Sequence, residues 1–304
     1  RPPRRSTSFP SPPPFRSIEA FGAAAVHLAP EGPLCVQARR WCRRKGQPFT
    51  TAYHTQFPEY LARRTRLSPR VFWPYIRWFH GRSEGIMVST ESVRRQLRGQ
   101  GLAHVQHWSR GVDLDNFFAD APTPAVYRQI ARPIQLYVGR VAVEKNIEAF
   151  LETSEPGSKV VVGEGPALDA LKARYPDVHV AGRKSGKELA GYYAGADVFV
   201  FPSRTDTFGL VIIEALACGT PVAAYPVTGP IDILTANSGV MNDSLDRAIR
   251  GALALDSGDC IAQGQGYSWD RSAAQFLNAL VPLPLRLEYP MLRRMLTKVI
   301  FTRV

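Results

Sequence analysis

Short apolar runs alternate with amphipathic segments twice over along this chain, and that rhythm limits the fold more than any other feature. In the front half, runs at 23–29, 49–54 and 86–89 read as strands, with helices over 34–45 and 90–101. A proline-containing stretch at 121–133 carries no strong period and reads as a linker. The alternation then restarts, with strands at 135–139, 159–163, 178–182, 197–202 and 221–225. Helices fill the gaps, over 145–153, 166–174, 186–195, 208–217 and 242–255. Strands interleaved with helices build parallel sheet. Five such strands make a doubly wound sheet, whose ligands sit beyond the strand carboxyl ends. The expectation is an α/β chain with a front domain at 18–120 and a second domain at 134–280. A disordered Pro/Arg-rich tail at 1–17 and a basic tail at 281–304 flank them.

At 304 residues the chain has room for two ordinary cores, and 45% hydrophobic content suits a soluble globular protein. No apolar run reaches the ~18 residues of a membrane span. Arg1 to Pro14 lacks the apolar stretch of a signal peptide. Cys35, Cys42, Cys218 and Cys260 match no zinc or redox spacing, so they read as free thiols in a reducing compartment. The expected location is the cytoplasm, peripheral on the inner face of the membrane.

Charge is one-sided. Residues 1–120 hold 19 Lys/Arg against 8 Asp/Glu, whereas residues 121–304 hold 19 against 18. The front arginines cluster (Arg39, Arg40, Arg43, Arg44 with Lys45; then Arg63, Arg64, Arg66) without the aromatic platforms of single-strand RNA binders. Nucleic acid is therefore not the expected partner. An ordinary solvated face and an anionic membrane surface both fit.

The sharpest constellation is DTFGLVIIEALACGTP, from Asp206 to Pro221, after the strand DVFVFP. A helix opens near Phe208, so the N–H groups of Thr207, Phe208 and Gly209 lie where unpaired donors and the helix dipole favour an anion. Gly209 removes a side chain where a ligand can approach the backbone. Asp206 can equally be a plain helix cap. Glu214 lies among apolar neighbours, and a carboxylate there calls for a partner or a ligand. Arg140 and Lys145 follow the strand QLYVG, a placement suited to a diphosphate clamp or to two surface cations. Gly163, Glu164 and Gly165 form a glycine-permitted turn, weak by itself. His54 ends the strand FTTAYH on the same crevice side, although a lone histidine is more often structural.

Together these pieces resemble the family 4 glycosyltransferases. The Gly-Arg, four residues, Lys signature is met by Gly139, Arg140 and Lys145, and the paired acids by Asp206 and Glu214. The strand ending in His is met by YHTQFPEY, the closing phrase by SRGVDLDNF at 109–117, and AVHLAPEGPL at 25–34 adds a front-domain phrase. FPEYLARR, AYPVTGPIDIL and the basic front look most like bacterial members that glycosylate lipids, of mannosyl-, glucosyl- and sulfoquinovosyl-diacylglycerol type.

The resemblance implies a GT-B fold: two Rossmann-like doubly wound domains facing across a cleft, here with the N-terminal one incomplete. It implies a retaining hexosyltransferase acting from a UDP- or GDP-sugar on a lipid or glycan acceptor. Arg140 and Lys145 would hold the diphosphate, Glu214 the ribose, and Asp206 the sugar. The Thr207, Phe208, Gly209 and Leu210 stretch would contact sugar and phosphate, Gly182 and Arg183 would flank the base, and His54 would lie near the anomeric carbon. No cofactor and no metal are implied, and no Asp-x-Asp metal site is expected on the chain. Asp206 stands where most members carry Glu, one methylene longer. The front lacks the family's opening units, which leaves a second reading of a truncated, non-catalytic nucleotide-sugar-binding remnant. In the tail, apolar residues at 291, 292, 295, 296, 299 and 300 with Arg293, Arg294, Lys298 and Arg303 fit two things: a basic helix on a membrane, or a helix packed back on the front domain.

Overall fold

The structure is a computed structural model that describes residues 22–54, 56–204, 206 and 208–284. In the front lobe the order is β1 (His27–Leu28), α1 (Pro33–Lys45), β2 (Thr50–Ala52), α2 (Phe57–Thr65), α3 (Trp73–His80), β3 (Gly85–Val88), α4 (Glu91–Gly99) and β4 (Val105–His107). In the back lobe come β5 (Ile134–Val138), α5 (Ile147–Leu151), β6 (Ser158–Val162), α6 (Leu168–Arg174), β7 (His179–Gly182), α7 (Gly186–Ala194) and β8 (Val198–Phe201). After them run α8 (Leu210–Ala217), β9 (Val222–Ala224), α9 (Pro230–Ile233), β10 (Gly239–Met241), α10 (Leu245–Ala252), α11 (Ser257–Gln265) and α12 (Trp269–Ala279).

Both sheets are parallel throughout. The front one runs β1-β2-β3-β4 and the back one β10-β9-β8-β5-β6-β7. The architecture is GT-B: two α/β lobes, each with its own parallel sheet. Winding in the back sheet reverses between β5 and β8, and a crevice opens there at the strand carboxyl ends. Side-chain alternation shows why this sheet needs helices on both faces. Ile134, Leu136, Val138, Phe199 and Phe201 pack with α7 and α8 on one side. Tyr137, Val161, Val198 and Val200 pack with α5 and α10 on the other. α8 is buried nearly all round, and Gly264 of α11 lets that helix close on it: a Cβ there would lie 2.4 Å from the Ala217 nitrogen.

Several elements differ from the sequence reading. The strand expected at 23–29 keeps only His27 and Leu28, because at its start the chain pairs antiparallel with the C-terminal segment (Ala25 with Pro282, and Leu283 N–H donating to Ala24 O at 2.8 Å). The helix expected over 145–153 shortens to α5, because Asn146 takes a left-handed φ of 54° and donates from Nδ2 to Pro202 O at 3.1 Å. The short edge strands β4 and β10 were missed, as were helices α2, α3, α11 and α12. The tail helix expected beyond residue 284, and the stretch from Arg1 to Pro14, lie outside the described residues.

α12 returns to the front lobe. Phe276 and Leu280 pack against Ala52, Met87 and Trp108, while Trp108 Nε1 donates to Ser272 Oγ at 3.2 Å. A second tie joins the lobes where Ser92 N–H, at the start of α4, donates to Asp232 Oδ1 at 2.8 Å. No helix among the described residues is long and apolar enough to cross a membrane.

Candidate functional site: the crevice between β5 and β8

Three glycines shape the floor. A Cβ on Gly163 would fall 1.9 Å from Gly139 O, and one on Gly165 would fall 2.1 Å from Val141 O. The loops after β5 and β6 therefore lie backbone to backbone, locked by Val141 N–H donating to Glu164 O at 2.9 Å. Gly139 itself has a φ of 149°, and the buried Tyr137 hydroxyl donates to Arg140 O at 2.9 Å. That bond fixes the backbone from which Arg140 projects.

Lys145 and Asp206 meet across the crevice, Nζ to Oδ1, at 2.5 Å. Sequence spacing placed both residues at the mouth but did not foresee this ion pair. The Arg140 side chain is largely exposed and reaches Glu144 at 3.5 Å. α8 begins at Leu210 rather than near Phe208, with Gly209 as its cap at a φ of 87°. A Cβ on Gly209 would press within 3.0 Å of Ile212, so only glycine fits without strain. Phe208 is buried in the core, whereas Leu210 is exposed beside the crevice.

Gly139, Arg140, Lys145, Asp206, Phe208, Gly209 and Leu210 thus line one recess. Arg183 lines a neighbouring recess with Gly139, Arg140 and the Gly163–Gly165 turn, and Gly182 precedes it at a φ of 71°. Thr207 lies outside the described residues. Glu214 lines neither recess. Its Oε2 accepts from Tyr193 Oη at 3.0 Å, and burial raises the carboxyl pKa while the Tyr193 bond opposes that rise. The partner expected for an apolar-flanked carboxylate is therefore a tyrosine on α7.

His54 lines neither recess but contacts a residue that does. Its Nδ1 accepts from Arg110 Nη2 at 2.6 Å. Burial is the main cause that lowers its pKa, to about 4, and the Arg110 charge adds to it. Arg110, Trp108, Ser203, Trp269 and Ser272 line the same recess as Lys145 and Asp206 and were not foreseen as site residues. The closing phrase at 109–117 contained Arg110, but nothing in a loop arginine's spacing predicts a histidine contact 56 positions away. Ser203 Oγ is buried at the crevice wall with no hydrogen-bond partner among the described residues. An Asp-x-Asp spacing does occur in the sequence, at Asp113-Leu114-Asp115. Asp113 there accepts from Asp115 N–H at 3.1 Å and Asn116 Nδ2 at 2.6 Å, a local turn outside both recesses.

A GT-B fold with cations, an acid and a helix start at the winding reversal defines a class of two-lobed α/β proteins with a crevice built for an anionic ligand. The profile described as "Glycosyl transferases group 1" matches residues 132–253, and that described as "Glycosyltransferase Family 4" matches residues 1–116. The chain belongs to this family of glycosyltransferases. It is 32% identical over 227 residues to a GDP-mannose-dependent alpha-mannosyltransferase of Mycobacterium tuberculosis, covering 73% of this chain and 60% of that one. It is 27% identical over 238 residues to the sulfoquinovosyl transferase SQD2 of Arabidopsis thaliana, covering 74% of this chain and 47% of that one. Among solved structures, sucrose-phosphate synthase from Thermosynechococcus elongatus superposes with a TM-score of 0.71 at 24% identity, over 94% of this chain and 77% of that one. The chain spans 60% or less of the length of these two sequence relatives.

Proposed function

We propose that this chain is a retaining hexosyltransferase that moves a sugar from a UDP- or GDP-sugar to a lipid or glycan acceptor. The observation that carries the reading is the Lys145–Asp206 pair at the winding reversal, beside the start of α8. Lys145 and Arg140 take the donor diphosphate, with the Gly209 and Leu210 N–H groups meeting charge on the leaving phosphate. Asp206 holds sugar hydroxyls, and Glu214 turns from Tyr193 to the ribose. Arg183 with Gly182 flanks the base. His54 sits near the anomeric carbon, and the leaving diphosphate itself accepts the acceptor's proton.

The relatives' names support the lipid side of this reading, since one is a sulfoquinovosyl transferase and another a monoglucosyldiacylglycerol synthase. So does the basic front lobe, where Leu34 on α1, Val71 in the turn before α3 and Trp78 on α3 are exposed, as are Arg40, Arg70 and Arg77. We place the front lobe against an anionic membrane.

A second reading is a module that binds nucleotide-sugar without transferring it. It rests on the pairings inside the crevice and beside it, Lys145 with Asp206 and Glu214 with Tyr193, which leave these side chains occupied by one another. Calorimetric titration of the folded chain with UDP and then GDP tests the donor site, with Lys145→Ala as control. Binding by the parent alone supports the site, and the preferred nucleotide names the donor class. No binding by a folded chain sinks both readings, while binding without turnover on a panel of sugars and lipid acceptors selects the second.

A further inference from the structure

We propose that Arg110 is a positioning residue for His54, holding the imidazole neutral with its hydrogen on Nε2, so that His54 meets the donor as a hydrogen-bond donor and not as a base. The contact with a sugar donor rests on the glycosyltransferase reading; the Arg110–His54 pairing does not.

The argument starts from donor and acceptor chemistry. A guanidinium has five N–H donors and no acceptor. Arg110 Nη2 lies 2.6 Å from His54 Nδ1, so Nδ1 must be the accepting, unprotonated nitrogen. The neutral ring then carries its hydrogen on Nε2. Protonating Nδ1 would set two donors and two positive charges face to face. Among the described residues, the Arg110 and His27 charges disfavour the imidazolium and the Glu31 charge favours it, and burial outweighs each of the three.

Arg110 is also held in place. Ser109 N–H donates to Gln275 Oε1 at 2.8 Å, Ser272 Oγ donates to Ser109 O at 2.8 Å, and Val112 N–H donates to Tyr267 O at 2.7 Å. Gly111 between them has no room for a side chain, since a Cβ would lie 2.8 Å from Trp269 Cα. The guanidinium lies 4.9 Å from the centre of the Trp108 ring, and the same indole meets His54 edge-on at 5.4 Å. Trp108, Arg110 and His54 thus form one unit anchored by α12, the kind of packed support that preorganises a reacting group.

The chemical consequence is definite. With Nδ1 occupied and Nε2 carrying a hydrogen, His54 has no free lone pair with which to deprotonate an acceptor. It can steady a sugar hydroxyl or a phosphate oxygen, and it brings no positive charge to the anomeric centre.

Long-range proton–nitrogen NMR of the full chain labelled with 15N-histidine reads this directly, with His54 picked out by its loss in His54→Gln. Expected in the parent between about pH 5 and 8 is a pyridine-type Nδ1, a pyrrole-type Nε2 and no titration. Arg110→Met should mix the tautomers and raise the titration midpoint. Arg110→Gln, whose amide can still donate to Nδ1, should keep the parent pattern. An Nδ1–H tautomer in the parent overturns the proposal, and so does an Arg110→Met spectrum identical to the parent. If Arg110→Met does not fold, the parent spectrum and Arg110→Gln still decide. The NMR pattern needs no donor, so a failed UDP or GDP titration beside the expected spectrum sinks the glycosyltransferase reading alone.

Discussion

Lys145 Nζ and Asp206 Oδ1 lie 2.5 Å apart, joining the loop that follows β5 to the loop that precedes α8. The pair sits where the sheet's winding reverses, so two segments 61 residues apart in sequence share one electrostatic site. Both side chains are about three-quarters buried, which strengthens the attraction over that of a surface pair. A diphosphate entering the crevice has to compete with Asp206 for the ammonium.

Lys145→Ala should weaken UDP or GDP binding by about 10- to 100-fold, since a hydrogen bond to a charged group is worth about 1.5–3 kcal/mol. Asp206→Asn should act differently. It frees Lys145 for phosphate, so affinity for the bare nucleotide should hold or rise while the preference for the sugar-bearing form falls. Calorimetry on the two variants separates these roles. Unchanged nucleotide affinity in Lys145→Ala would remove the clamp from the mechanism.

Glu214 and Tyr193 give a stability prediction with a pH signature. The folded carboxyl pKa is raised by burial, so the fold favours the protonated form, and stability falls as pH rises through that pKa. The Tyr193 hydroxyl offsets part of this cost by bonding the ionised form. Tyr193→Phe should therefore destabilise the chain by about 1–2 kcal/mol near neutral pH, and by less near pH 4.5, the ordinary carboxyl value, which lies below the raised pKa of Glu214. Urea unfolding at the two pH values checks it. An equal loss at both would show that the tyrosine acts through packing alone.

The back sheet was legible because its strands are apolar runs bounded by glycine or proline, and Val160, Val161 and Val162 are all buried, as the run implied. The crevice was legible in its backbone: Gly139 and Gly209 mark positive φ, and Arg140, Lys145 and Asp206 fall at strand ends. Partners were not legible, because a contact such as Arg110 with His54 depends on how two lobes close and not on local spacing. Edge elements failed for a related reason. Val105 is buried but Gln106 and His107 are exposed, so β4 presents no alternation long enough to read. α12 was hidden because its inward residues face a sheet that the chain built more than 150 positions earlier, as the Trp108–Ser272 bond shows across 164.

Acid should destabilise the front lobe through two buried histidines. His27 and His54 both have pKa values lowered to about 4, chiefly by burial, against 6.5 when unfolded. The unfolded chain therefore binds more protons between these values, and stability drops as pH falls from 6.5 toward 4. Urea midpoints should decline across that window, and the decline should shrink in His27→Gln and in His54→Gln. A flat parent profile would mean that the two rings are not buried as neutral imidazoles.

The last expectation concerns the outer surface of α1 and α3. Between Glu31 and Glu84 the chain carries 11 Lys/Arg and one acid, Glu59. Arg39 is buried and ties the two helices together, donating from Nε to Phe79 O at 2.9 Å and from Nη2 to Trp78 O at 2.5 Å. Among the described side chains, Arg40, Arg70, Arg77 and Arg82 are exposed, as are the apolar Leu34, Val71 and Trp78. Cations near an anionic leaflet contribute about 1 kcal/mol each, so replacing Arg70, Arg77 and Arg82 by Gln should cost about 3 kcal/mol, on the order of a 100-fold loss of partitioning. Sedimentation with phosphatidylglycerol-containing vesicles measures it, and added salt should weaken the parent in the same direction. Because the three side chains are exposed, the variant should unfold at the parent's temperature. Equal binding of the parent to neutral and anionic vesicles, or an unaltered variant, would return this surface to an ordinary solvated face.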